Sequence, residues 1–244
     1  MSAIEAYWKA LSIIITEAFT RQAETLEKAA RAIASALQEK HMVYTFGTGH
    51  GHLLSLELFY RAGGLASLCP MLDETLMLHK EAAKGSELER LSGKARELIV
   101  KYGVKKGDIV LVCSNSGRNA APVEMAAEAK SVGAVVIALT SIRHYSSVSP
   151  RNALGKRLYE AADIVLDNFG EPGDAIFEVS DGMRAGPTST AVGSALLQAI
   201  VCRVSEILNE QKANVEFYKS ANIDGGDAWN SVLIEKYKPL IPHL

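Results

Sequence analysis

The hydrophobic pattern of this chain alternates between two spacings, which together predict a sheet covered by helices. Short apolar runs rich in β-branched residues have the length of buried strands, and they occupy 42–46, 65–69, 109–113, 135–140 and 163–167, with a weaker candidate at 175–179. Helical spacing is found over 53–62, 73–83, 87–102, 120–132, 153–161 and 190–211. This alternation predicts an α/β fold of three αβα layers, built on a five-stranded parallel sheet.

The N-terminal stretch, residues 5–39, has apolar side chains on one face of a long helix or of two helices. We expect it either to cover its own sheet or to pack on another subunit. The chain then divides into an N-terminal helical segment (1–40), an α/β domain (41–211) and a C-terminal helix and tail (212–244). Within the domain, Ser86 and Glu89 match a capping box that would start helix 87–102, and Gly103 would end it.

Composition excludes several classes of partner. The formal net charge is −2 and the charged residues are dispersed, so a nucleic acid partner is not expected. No stretch approaches eighteen consecutive apolar residues, and the acidic N-terminus is unlike a signal peptide, so we expect no membrane partner and a cytoplasmic protein. Three cysteines in apolar runs, Cys69, Cys113 and Cys202, are expected to be reduced core residues.

The most informative motif follows strand 109–113 directly and is called the serine loop here. It consists of Ser114, Asn115, Ser116, Gly117, Arg118 and Asn119. A helix pattern starts just after it, and a helix N-terminus with free N–H groups favours an anion, for which phosphate is the expected identity. The alternative is a simple cap, because Asn119 suits an N-cap and Pro122 is tolerated in a first turn.

Two other polar segments are expected near the serine loop. The glycine loop, 47–52, contains Gly47, Thr48, Gly49, His50 and His52 after the first strand, with a spacing that fits neither a dinucleotide fingerprint nor a Walker A motif. In the strand order 2-1-3-4-5, both loops would share one crevice, which suits a sugar phosphate. The predicted helix 190–211 starts with three hydroxyl-bearing residues, Thr188, Ser189 and Thr190. We expect them either to face the same ligand or to form an ordinary cap.

The motifs at 47–49, 114–119 and 188–190 resemble those of the sugar isomerase (SIS) domain family, whose Ser-x-Ser-Gly-x-Thr loop binds the phosphate of a phosphosugar. Further motifs, at 49–52, 61–65 and 173–175, resemble the bacterial phosphoheptose isomerase-like branch. The resemblance implies the flavodoxin-like strand order 2-1-3-4-5, a long N-terminal helix, and a homodimer or homotetramer. One departure is Asn119, which stands where the family motif has Thr.

The resemblance implies an aldose–ketose isomerase that works through an enediol. Glu57, on the helix after the glycine loop, is the candidate base, and an ordinary ion pair with Arg61 is its alternative. His50 and His52 are candidates for the ring-opening acid or for hydrogen bonds to sugar hydroxyls. Asp174 is expected to contact sugar hydroxyls or to serve as a turn residue. We expect no cofactor, and the alternative is a divalent metal such as zinc held by the histidines. A phosphosugar sensor without catalysis and a phosphosugar lyase stay open as alternatives.

Overall fold

The computed structural model describes residues 1–244 and contains the predicted parallel sheet in the order β2-β1-β3-β4-β5. Its strands are β1 (Val43–Gly47), β2 (Leu68–Pro70), β3 (Ile109–Cys113), β4 (Val135–Thr140) and β5 (Ile164–Asp167). A separate antiparallel hairpin consists of β6 (Ala175–Ser180) and β7 (Met183–Pro187). The fold class, the strand order and the long N-terminal helix are thereby confirmed.

Ten helices surround the sheet. They are α1 (Ala3–Arg21), α2 (Ala23–Gln38), α3 (Gly51–Leu58), α4 (Leu78–Leu88), α5 (Lys94–Tyr102), α6 (Ala120–Ser131), α7 (Ile142–Ser146), α8 (Leu158–Ala161), α9 (Ser189–Glu210) and α10 (Gly226–Tyr237). Each face of the sheet has its own hydrophobic core. Helices α1, α2, α3 and α9 bury apolar side chains against one face, and α5, α6, α8 and α10 do so against the other.

The N-terminal stretch forms two helices, α1 and α2, which meet at Gln22. Gln22 is buried between α1 and α2, where its amide pairs with the backbone of Asp167 in β5: Nε2 donates to the carbonyl at 2.5 Å, and Oε1 accepts from the N–H at 3.0 Å. Helix α2 therefore docks on the sheet of its own chain, and α1 packs against α9 and β6.

Helix α9 is by length and composition the one helix that could cross a membrane, with a mean hydropathy of 1.5 in its most apolar window. In this fold it is a core helix. Nine of its residues are buried, and eight of them belong to the hydrophobic core that α1 and α2 share.

The structure corrects several local predictions. Residues 65–67 were expected to begin β2, but Leu65 and Ala66 pair instead with the C-terminal segment at Phe217 and Glu216. Ser86 does not start a helix; it lies inside α4, where its hydroxyl donates to the carbonyl of Ala82.

Other differences concern helix lengths and exposure. The helix expected over 153–161 is confined to Leu158–Ala161, because Gly155 has a left-handed backbone (φ 62°). Cys69 and Cys113 are buried as expected, whereas Cys202 is exposed on α9. Gly103 ends α5 in the left-handed conformation, as predicted.

Candidate functional site

A cavity of about 320 Å³ opens at the carboxyl ends of β1 and β3, where the glycine loop and the serine loop lie side by side. Both loops line it, as do the start of α9 and the turn before β6. This is the crevice that the strand order predicts for a ligand. A larger cavity of about 540 Å³ lies at the opposite end of the sheet, and none of the predicted site residues lines it.

The serine loop presents main-chain donors to this cavity. The N–H groups of Asn115, Ser116 and Asn119 have no acceptor within the chain, although all three residues line the cavity. Ser114 Oγ accepts from the N–H of Gly117 at 3.2 Å and so closes the loop on itself. Free N–H groups just before a helix N-terminus form the kind of site that binds an anion.

Asn119 is the N-cap residue of α6, but it caps with its backbone only. Its side chain makes no capping hydrogen bond, and Nδ2 donates instead to Oε1 of Glu89 at 2.6 Å. The simple-cap alternative for this residue is therefore not what the structure contains.

The glycine loop packs closely against the strand ends because it lacks side chains at two positions. A Cβ on Gly47 would be 2.3 Å from the backbone carbon of Gly51, and one on Gly51 would be 2.5 Å from the carbonyl oxygen of Cys113. Both contacts are far inside van der Waals range. These glycines therefore allow the N-terminus of α3 to pack directly onto the ends of β1 and β3.

The two histidines of the glycine loop differ in their exposure to solvent. His50 is exposed and lines the cavity. His52 is buried, with Nδ1 hydrogen-bonded to the carbonyl of Gly49 and its ring 6.3 Å from that of His79. Burial is the main cause that lowers the pKa of His52, and the Gly49 carbonyl opposes it.

At the far wall, Asp174 is bound to the start of α9. Its Oδ1 accepts from the N–H groups of Thr188 (3.0 Å) and Ser189 (2.8 Å), and its Oδ2 accepts from Ser189 Oγ at 2.6 Å. Thr188 is completely buried, whereas Asp174, Ser189 and Thr190 line the cavity. The negative charge that the N-terminus of α9 favours is thus supplied by the carboxylate of Asp174.

Glu57 does not line the cavity of its own chain. Its carboxylate is paired with Arg61, one turn further along the sequence, and it also accepts from Gln198 Nε2 at 3.2 Å. This is the ion pair that sequence analysis gave as the alternative. The base role of Glu57 stays a prediction, as does the acid role of His52.

The structure offers no ready site for the zinc alternative. No group of three or more His, Cys, Asp or Glu side chains is arranged to hold a metal ion. Zinc binding by His50 and His52 stays an open alternative.

Three polar residues of the cavity were missed by sequence analysis. Glu89 follows α4, His144 lies on α7 and Asn168 follows β5. Glu89 was assigned only to a capping box, and His144 and Asn168 belong to no recognisable motif. Only the strand order could have pointed to Asn168, because it places the end of β5 at the same edge of the sheet.

The cavity contains no Lys or Arg among its lining residues, and its ionisable carboxylates and imidazoles come from His50, Glu89, His144 and Asp174. An anionic ligand would therefore be met by N–H dipoles rather than by a basic side chain. Arg118 belongs to the serine loop but does not line the cavity.

Comparisons with known proteins agree with this architecture. The SIS domain family model matches residues 6–141, which is more than half of the chain. The UPF0309 protein of Shouchella clausii is 40% identical over 246 residues and covers 100% of both chains.

Two solved structures share the fold at low identity. A phosphoheptose isomerase from Neisseria gonorrhoeae has a TM-score of 0.56 at 16% identity, covering 83% of this chain and 97% of its own. A protein of E. coli CFT073, solved in complex with a sugar phosphate, has a TM-score of 0.50 at 15% identity, covering 84% and 89%.

Proposed function

Because the chain belongs to the SIS domain family, we propose that it binds a sugar phosphate in this cavity and interconverts the aldose and ketose forms. Two proteins of similar fold support the choice of ligand and reaction: one is a phosphoheptose isomerase and the other was solved with a sugar phosphate bound. The cavity of about 320 Å³ is within the range of small-molecule sites.

The free N–H groups of the serine loop are the observation that carries this proposal. Asn115, Ser116 and Asn119 offer three unpaired main-chain donors at the start of α6. Hydrogen bonds to an ionised acceptor are stronger than those between neutral groups, and the dipole of α6 adds to them. A phosphate fits this loop without a basic side chain.

The sugar would extend from the serine loop toward the start of α9. Asn168 Nδ2 donates to Asn115 Oδ1 at 2.8 Å, so the Asn115 amide is fixed in orientation with its Nδ2 left to donate. Ser189 and Thr190 add hydroxyl groups on the opposite wall. Hydroxyl and amide groups that both donate and accept suit a polyhydroxylated carbon chain.

Isomerisation through an enediol requires a base that carries a proton between C1 and C2, and a donor at the carbonyl oxygen. The cavity holds carboxylate and imidazole groups that can serve both needs, and the reaction requires no cofactor. We propose that the protein acts in the cytoplasm as a homodimer or homotetramer; both parts of that statement remain predictions.

Hydrogen exchange with solvent tests the reaction. Pentose, hexose and heptose phosphates are incubated with the protein in D2O, and C2 deuteration is followed by NMR. We expect deuterium at C2 of one class together with appearance of the isomer. Tight binding without exchange would identify a sensor and refute the isomerase, and loss of a C3 substituent would identify a lyase.

Ser116→Ala tests the anion site. A hydrogen bond to a charged group contributes about 1.5–3 kcal/mol, so we expect Kd for the sugar phosphate to rise at least about tenfold, with little change for the unphosphorylated sugar. Ser205→Ala is the matched control, because Ser205 lies on α9 about 24 Å from its N-terminus. Equal losses for phosphorylated and free sugar, measured by calorimetry, would contradict the assignment.

A further inference from the structure

Only some of the ionisable groups that line the cavity are free to take part in proton transfer. Four residues with ionisable carboxylates or imidazoles line it, namely His50, Glu89, His144 and Asp174. Asp174 uses both carboxylate oxygens to cap α9. His50 is exposed at the surface. Glu89 and His144 are the two whose ionisable groups are partly shielded from water and do not cap a helix.

Glu89 is held by one residue from each loop. Its Oε2 accepts from Thr48 Oγ1 at 2.6 Å and its Oε1 accepts from Asn119 Nδ2 at 2.6 Å. Its carbonyl oxygen also accepts from the N–H of Ala121 in α6, at 2.9 Å. Two contacts to the half-buried carboxylate and one to the main-chain carbonyl therefore fix Glu89 where the two loops meet.

The donors that hold Glu89 are neutral. No Lys, Arg or His nitrogen lies within 4.0 Å of its carboxylate, and Arg151 acts on it only over a longer range. Glu57, in contrast, is in an ion pair with Arg61. The Glu89 carboxylate is therefore held in place without a cationic partner.

His144 is fixed in one tautomer. Its Nδ1 accepts from the N–H of Gly173 at 2.9 Å, so the proton of the neutral ring is on Nε2. Burial, more than any other cause, lowers the pKa of His144; Asp174 opposes this effect and Arg118 adds to it. The ring is therefore neutral at pH 7 and can donate from Nε2 to a carbonyl oxygen.

We propose that Glu89 is the base that moves the proton between C1 and C2, and that His144 is the acid at the carbonyl oxygen. This assignment rests on the proposed isomerase function. The Glu89 carboxylate removes the proton from C2 of the open-chain aldose while Nε2 of His144 gives its proton to O1, which forms the enediol. Glu89 then returns its proton to C1, and His144 recovers one from the hydroxyl on C2, which leaves the ketose and the starting enzyme.

Glu89→Gln is the decisive variant. The amide keeps the shape of the side chain, and because the Thr48 hydroxyl both donates and accepts, contacts to the loops can re-form. We expect C2 deuteration to fall by about 10²–10⁴-fold, with Kd for the same sugar phosphate within about threefold of the wild type. His144→Gln should lower the rate by a similar factor, again with Kd retained. Glu87→Gln, on the exposed side of α4, is the matched control and should exchange like the wild type.

The outcomes separate this inference from the proposed function. A wild-type protein that binds sugar phosphates but never exchanges C2 would refute the isomerase and the base together. A wild-type protein that exchanges, with a Glu89→Gln variant that exchanges equally fast, would overturn only the inference. Loss of exchange in Glu57→Gln but not in Glu89→Gln would also overturn it. A Glu89→Gln variant in which Kd rises as much as the rate falls would make Glu89 a binding residue instead.

Discussion

Removing the carboxylate of Asp174 tests whether a residue distant in sequence stabilises the start of the central helix α9. The N-cap residue of that helix, Thr188, makes no side-chain capping bond. Asp174 replaces it, with Oδ1 accepting from two backbone N–H groups and Oδ2 accepting from Ser189 Oγ. Asp174→Ala deletes these bonds and the negative charge at the helix N-terminus.

The expected loss can be worked out from these contacts. Loss of an N-cap costs about 0.5–2 kcal/mol, and loss of a favourable charge at a helix N-terminus costs about 0.3–1 kcal/mol or more when partly buried. Asp174 also has a left-handed backbone with φ 69°, which alanine tolerates at a further cost of about 1 kcal/mol. We therefore expect the free energy of unfolding to fall by about 2–4 kcal/mol. Asp174→Asn keeps one acceptor and the left-handed tolerance, and should cost about 1 kcal/mol or less.

Asp181→Ala is the matched control for the backbone term. Asp181 is also left-handed, with φ 46°, but it lies in the exposed turn between β6 and β7. Urea denaturation followed by circular dichroism compares the variants. If Asp174→Ala and Asp181→Ala agree within about 0.5 kcal/mol, the threshold for an ordinary surface substitution, Asp174 does not stabilise α9 and the reasoning fails.

Two further predictions concern the glycine loop. Gly47→Ala would place Cβ 2.3 Å from the backbone of α3, so we expect the variant to unfold at a lower urea concentration and to lose sugar phosphate binding. Gly182→Ala, in the open hairpin turn, is the control and should bind normally. Normal binding by Gly47→Ala would contradict the close packing. Burial lowers the pKa of His52 below its usual 6.5, so the unfolded chain takes up the proton first and the free energy of unfolding should fall as pH drops below about 6.5. His52→Gln should reduce that pH dependence in urea titrations at pH 5 and 7.5, and an unchanged slope would rule out this histidine as its source.

The sheet could be predicted from the sequence because its signal is local. Each central strand is a run of apolar residues such as Ile109–Cys113, and a run buried on both faces has few alternatives to a parallel strand. The family resemblance inferred from the motifs at 47–49, 114–119 and 188–190 is confirmed by the match of the SIS domain model over 6–141. The meeting of both loops in one cavity followed from the strand order alone.

What the sequence did not reveal depends on contacts between distant segments. The start of β2 was misplaced because Ala66 donates to Glu216, 150 positions further along the sequence, and no local pattern encodes that bond. Glu89 resembles any exposed helical glutamate until Thr48 and Asn119 are placed beside it. The tautomer of His144 likewise cannot be inferred until the N–H of Gly173 is placed beside its ring.

The double attachment of residue 89, through its carbonyl and its carboxylate, also limits how the length of this region can change during evolution. An insertion directly before Glu89, at the end of α4, would displace both attachments at once and carry the carboxylate out of the crevice. An insertion near Gly93, where a side chain would meet nothing within 4 Å, would leave both attachments in place. Natural variation in length should therefore collect after this residue and avoid the stretch before it.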